Sequence, residues 1–116
     1  MRFAIDEQIT FADEFDSRYT VKAIGSRFAV LTRPMTEEDR EGYEYEGSID
    51  TNVVYTIVDS ETMMRGAHDW VLNPYDFKTS AGAAGCLRDL ESGLAHLSRR
   101  NSIPANVLIR NCHGRH

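Results

Sequence analysis

A few groups of side chains in this 116-residue chain could do chemistry. The densest is Arg65-Gly66-Ala67-His68-Asp69-Trp70. Arginine, histidine and aspartate that close together could form a general acid–base site, with Cys86 as a nucleophile brought in from elsewhere. On a strand, however, Arg65, Ala67 and Asp69 share one face and His68 and Trp70 the other, which separates the groups a catalyst needs together. Metal ligands are the second set: His68, His96, Cys86, Cys112, His113 and His116. Zinc sites usually pair their ligands two to four residues apart. Cys112 and His113 are adjacent, and His113 and His116 fall in a loose tail over residues 111–116, so no metal is expected. No cofactor is expected either, because G-x-S-x-G, P-loop and G-x-G-x-x-G patterns are missing. Gly82-Ala83-Ala84-Gly85 reads as helix rather than as a phosphate loop. Cys86, flanked by Gly85 and Leu87, reads as a packed thiol.

The strongest signal is electrostatic. TEEDREGYEYEGSID, residues 36–50, carries seven carboxylates (Glu37, Glu38, Asp39, Glu41, Glu44, Glu46 and Asp50) against one cation, Arg40. Residues 1–61 hold fourteen acidic and six basic side chains, a net −8; residues 62–116 hold four acidic and seven basic, a net +3. Such asymmetry says more about partners than about fold. It disfavours direct contact with nucleic acid and favours a basic protein surface. The bland reading is a solvated connection. The functional reading makes Glu37, Glu38, Asp39, Glu41, Glu44 and Glu46 a track that imitates phosphates, with Tyr43 and Tyr45 as aromatic anchors.

The elements that must carry these residues are read from periodicity. One domain is expected, because the length is that of a single core and the composition is ordinary globular. Tyr19-Thr-Val-Lys-Ala-Ile24 and Phe28-Ala-Val-Leu31 read as two strands, with Tyr19, Val21 and Ala23 on one face. Gly25-Ser26 between them reads as a type II′ turn. Pro34 should end the second strand. Thr51–Asp59 reads as a central strand, Ser60–Gly66 as a turn, Ala67–Leu72 as a return strand and Asn106–Ile109 as a last strand, with an edge strand at Gln8–Ala12. A helix should start at Thr79 or Ser80, where either residue can cap it. Its apolar stripe would be Ala83, Leu87, Leu90, Leu94 and Leu97, with Gly82 and Gly85 allowing close packing on a sheet. Its end lies between Ser92 and Ser98, because Gly93 suits a C′ position. If it runs on, Arg99 and Arg100 would complement its dipole. The fold class is α+β: an antiparallel sheet of about four to five strands with one main helix on one face. No stretch reads as a membrane span, the start turns acidic too soon for a signal peptide, and two cysteines suit reduced thiols, so the expected location is cytoplasmic.

The order of parts "AVLTRP" (29–34), "YTIVD" (55–59), "RG" (65–66), "LESG" (90–93) and "S-x-R-N" (98–101) resembles a group of small proteins from proteobacterial phages and other mobile elements, over about residues 27–102. Small acidic proteins of such elements often block host defences, CRISPR effectors and restriction enzymes among them. The resemblance therefore implies a non-enzymatic, anti-CRISPR-like inhibitor acting in a bacterial host on a host defence complex. It supplies no site residues; those named come from the charge argument. Two alternatives stay open: a small enzyme acting through residues 65–70, and a homodimeric regulatory module of a mobile element, joined by sheet edges or by the helix.

Overall fold

The computed structural model describes residues 2–14, 16–38, 53–67, 80–97 and 103–111. In chain order these form β1 (Gln8–Phe11), a 3-10 turn (Ala12–Glu14), β2 (Tyr19–Ile24), β3 (Phe28–Pro34), β4 (Val53–Asp59), β5 (Met64–Ala67), helix α1 (Ser80–Ser92), β6 (Ile103–Pro104) and β7 (Val107–Asn111). The strands make one antiparallel sheet in the order β6-β5-β4-β3-β2-β1-β7. The α+β class holds, but the sheet has seven strands rather than four or five.

The two outermost strands, β6 and β7, are separated in sequence by only Ala105 and Asn106. One extended segment therefore pairs with β5 at its start and with β1 at its end. The joint is fastened on both sides: Ala105 N–H donates to Met63 C=O (2.7 Å), and Ala12 N–H donates to Asn106 C=O (2.6 Å). A sheet whose two edges are consecutive in the chain must curl into a barrel, which spares it long free edges. The expectation of one sheet face packed on a helix is thereby extended. The other face is also covered, because it lines the inside of the curl.

Two cores result. Inside the curl lie Ile9, Phe11, Tyr19, Val21, Ala29, Leu31, Val58 and Ala105. Outside it, Phe28, Val30, Tyr55 and Ile57 meet Ala83, Cys86 and Leu90 of α1. Strands β3 and β4 belong to both cores, so their odd and even residues are buried alike. That is why FAVL and VVYTIV read as continuous apolar runs rather than alternating ones. Ala23 is expected beside Tyr19 and Val21, yet it packs on the helix side. The register shifts between Val21 and Ala23, and the extra residue of this bulge turns the rest of the strand to the other face.

The helix stripe follows the expected set only in part. Ala83, Cys86 and Leu90 are buried, Leu87 is half-buried, and Leu94 is 79% exposed. The helix has already stopped at Ser92. Gly93 takes φ +83°, its N–H donates to Leu90 C=O (3.3 Å), and Leu94 N–H donates to Asp89 C=O (2.8 Å), which is a Schellman ending. Arg99 and Arg100 thus come too late in the sequence to sit in its last turn. Close packing on the sheet falls to Ala83 and Cys86 rather than to Gly85, since a Cβ there would meet the Arg88 side chain at 3.7 Å and no sheet atom within 4 Å. β5 begins at Met64, earlier than the expected return strand, because the chain reverses over Asp59–Met63; Met63 takes φ 55°, and its N–H donates to Asp59 C=O (2.8 Å). The expected strand residues 68–72 lie outside the described residues.

The β2–β3 turn sits one residue later than expected. Gly25 N–H donates to Phe28 C=O (2.8 Å), which leaves Ser26-Arg27 as the loop. Positive φ is therefore not what Gly25 supplies; among the described residues the left-handed positions are Asp6, Met63 and Gly93. Its role is to admit Glu91. That carboxylate reaches over from the end of α1 and accepts from the N–H groups of Ser26 (3.1 Å), Arg27 (2.9 Å) and Phe28 (2.7 Å) and from the Ser26 hydroxyl. A Cβ on Gly25 would stand 2.6 Å from Glu91 Cδ, and moving Glu91 aside would break those bonds. Gly25→Ala should therefore destabilise the fold by about 1–3 kcal/mol, read as a lowered midpoint in urea; an unchanged midpoint would mean that Glu91 does not hold the turn.

Candidate functional site

Among the predicted partner-binding residues, Glu37 and Glu38 lie just beyond the end of β3, both exposed and with helical backbone. Asp39, Glu41, Tyr43, Glu44, Tyr45 and Glu46 lie outside the described residues. So do His68, Asp69 and Trp70 of the alternative acid–base cluster, and Cys112, His113 and His116. Among the described residues no three histidine, cysteine or carboxylate side chains gather as metal ligands, and no helix is long and apolar enough to cross a membrane.

Two members of the acid–base alternative are described, and neither faces a surface cleft. Cys86 is fully buried in the helix–sheet core. Burial first, and then the nearby Asp89 charge, push its thiol up to about 12, the reverse of what an activated nucleophile needs. Arg65 is 1% exposed, inside the barrel. It stands opposite Val58 on β4 and Ile103 on β6. Its guanidinium lies over the Phe11 ring at 3.9 Å and 5.9 Å from the Tyr19 ring centroid. A desolvated contact of that kind is worth about 2 kcal/mol, less than the several kcal/mol that burying a cation costs. Carboxylates supply the rest.

Those carboxylates come from the 3-10 turn between β1 and β2. Arg65 Nη2 donates to both oxygens of Asp13 at 3.0 Å and approaches Glu14 Oε1 at 3.5 Å. The other Glu14 oxygen accepts from the Tyr19 hydroxyl (2.7 Å) and from Arg33 Nε (3.2 Å). Arg33 Nε also lies 3.3 Å from the Tyr19 hydroxyl. Glu14 is thus held from three sides at one end of the barrel. Burial, and then the hydrogen bond to Glu14, push the Tyr19 hydroxyl up to about 12, so it stays a donor.

A second polar corner joins the two turns at the Gly25 end of the sheet. Arg27 pairs in bidentate fashion with Asp59 (2.9 and 2.7 Å), whose carboxylate also accepts from the N–H groups of Glu61 (2.9 Å) and Thr62 (3.3 Å). Ser60 ties back to Arg27 C=O through its N–H (2.9 Å) and its hydroxyl (2.6 Å). Beside this corner is a cavity of about 520 Å³ lined by Arg27, Phe28, Asp59, Glu61, Glu91 and His96, among others.

Sequence reasoning missed Asp13, Glu14, Asp59 and Glu91, which do most of the ionic work in the described fold. One signal was legible. Glu91 lies in the last turn of α1, where the helix dipole disfavours an anion and no basic residue offsets it. A carboxylate in that position points to a partner outside the helix.

Asp59 and Glu91 fix the sign of an acid response. Burial by itself raises the Asp59 carboxyl, but the Arg27 hydrogen bond and those from the 61–62 backbone outweigh it, and the net shift is downward. Partial burial likewise raises Glu91, and the bonds from Ser26, Phe28 and Arg27 outweigh it. Groups depressed in the folded state stabilise it above their unfolded pKa, about 4, and that contribution disappears as the pH falls through the folded values. The unfolding free energy should therefore fall on acidification below about pH 4–5, and the Asp59→Asn variant should show a shallower fall, read by urea titration across pH. An equal slope in both proteins would contradict the assignment.

Comparison with protein-family models, with curated proteins and with solved structures finds no match for this chain.

Proposed function

We propose that this protein is a non-enzymatic inhibitor of a host defence system, an anti-CRISPR protein in the first instance, that docks an acidic surface on a basic nucleic-acid-binding face of the effector. The observation that carries the reading is a division of labour among carboxylates. Asp13, Glu14, Asp59 and Glu91 are engaged inside the fold, by Arg65, Arg33, Tyr19, Arg27 and the β2–β3 turn. Glu37 and Glu38 are exposed where β3 leaves the sheet, and they open a stretch that carries five further carboxylates through Asp50. A basic partner would account for that concentration of charge.

The contact surface in this reading is Glu37, Glu38, Asp39, Glu41, Glu44 and Glu46, with Tyr43 and Tyr45 as anchors. Long-range attraction would speed encounter, and the aromatic rings would slow release. The buried, high-pKa thiol of Cys86 and the internal position of Arg65 favour binding over catalysis through those two residues.

The test is capture of the target by the tagged protein from a proteobacterial host with active CRISPR and restriction systems, followed by affinity measurement. Reversing Glu37, Glu38 and Glu41 to lysine should weaken binding by at least about a hundredfold, some 2.7 kcal/mol. Raising salt from about 0.05 to 0.5 M should weaken the wild-type complex as well. Undiminished binding after both changes would overturn the acidic-surface reading.

A further inference from the structure

The end of the barrel occupied by Glu14 has the composition of a carboxylate-binding site. Two arginines and a phenol converge on a single carboxylate: Tyr19 and Arg33 on Oε2, and Arg65 near Oε1. Arg65 is nine-tenths buried or more and lies on an aromatic floor of Phe11 and Tyr19, whose rings meet edge to face at 5.1 Å. Inside a barrel this small, an apolar side chain in place of Arg65 would fill the same space without the desolvation penalty, and such replacements are often neutral or stabilising. A buried arginine is the residue suited to planar, bidentate capture of a carboxylate.

The present occupant belongs to the chain, and it is carried on a short piece of structure. Glu14 is the last residue of a three-residue 3-10 turn, and its neighbour Asp13 covers the outer side of Arg65. The Asp13 and Glu14 side chains are 44% and 30% exposed, so the carboxylates that cover Arg65 are themselves in contact with solvent. The turn connects β1 to β2, and the Glu14 side chain takes no part in the backbone pairing of β1 with β2 and β7.

We propose that Arg33, Arg65 and the Tyr19 hydroxyl form a carboxylate-binding site at the barrel end, that Glu14 is its resident intramolecular ligand, and that a carboxylate from another molecule can take Glu14's place. The raised pKa of the Tyr19 hydroxyl keeps a third donor available through the physiological range. None of its residues belongs to the acidic stretch of residues 36–50, so the proposal stands whether or not that stretch binds a partner.

The test is to vacate the site and refill it. The Glu14→Ala protein is titrated with sodium acetate, with sodium chloride at matched ionic strength and with inorganic phosphate, following amide shifts of β1–β3 by NMR together with the thermal midpoint. The expected result is acetate binding at least about tenfold tighter than in wild type, with a rise in midpoint that chloride does not reproduce. That binding should be lost when Arg33→Met is added. If Glu14→Ala does not fold, Glu14→Gln, which keeps the side chain's shape, is titrated in the same way. Acetate no better than chloride would overturn the proposal and leave a purely structural ion cluster. A preference for phosphate over acetate would overturn the assigned ligand class.

Discussion

The described structure depends on one constraint: the segment from Ile103 to Asn111 pairs with both ends of the sheet at once. Without that closure, β1 and β5 would be open edges, and the face carrying Ile9, Phe11, Val21, Leu31 and Val58 would need another cover. With it, that face becomes an interior, and α1 is free to cover the opposite face through Ala83, Cys86 and Leu90. The bulge at β2 belongs to the same geometry, because it lets one strand contribute Tyr19 and Val21 to the inside and Ala23 to the outside.

Closure also explains where the charges go. Arg65 stands on β5 and faces the interior, so its counter-ions must come from the barrel end, and the 3-10 turn after β1 supplies them. At the Gly25 corner, Asp59 and Glu91 satisfy two turns and an arginine that would otherwise hold loose ends together poorly. Asp13, Glu14, Asp59, Arg27, Arg33 and Arg65 are thus matched within the fold, in bonds of 2.7–3.5 Å, while Glu37 and Glu38 at the end of β3 are exposed.

Local pattern made much of this legible in the sequence. The β2–β3 hairpin, the central strand at Val53–Asp59, the stop at Pro34, the helix start at Ser80 and the glycine ending at Gly93 all come from short-range chemistry. What escaped is non-local. Nothing in Ile103–Asn111 states that its two halves pair with strands nearly a hundred and about forty residues away. The bulge that turns Ala23 outward depends on the partner strand, and Gly25 has the look of a turn glycine because Glu91, which needs the space, comes 66 residues later. The ion cluster was hidden for a similar reason. Arg65 was legible as a reactive residue, but its partners Asp13 and Glu14 are 52 and 51 residues away. The acidic stretch is the opposite case, a signal visible in composition alone.

The most direct measurement of closure is native-state hydrogen exchange at the two fastening amides, Ala12 N–H and Ala105 N–H, compared with amides in the centre of β3 and β4. A closed barrel opens as one cooperative unit, so both amides should exchange with the same opening free energy as the central strands. Exchange at Ala12 and Ala105 orders of magnitude faster, with β3 and β4 still protected, would mean an open sheet, an unsealed Arg65 and a different account of the fold.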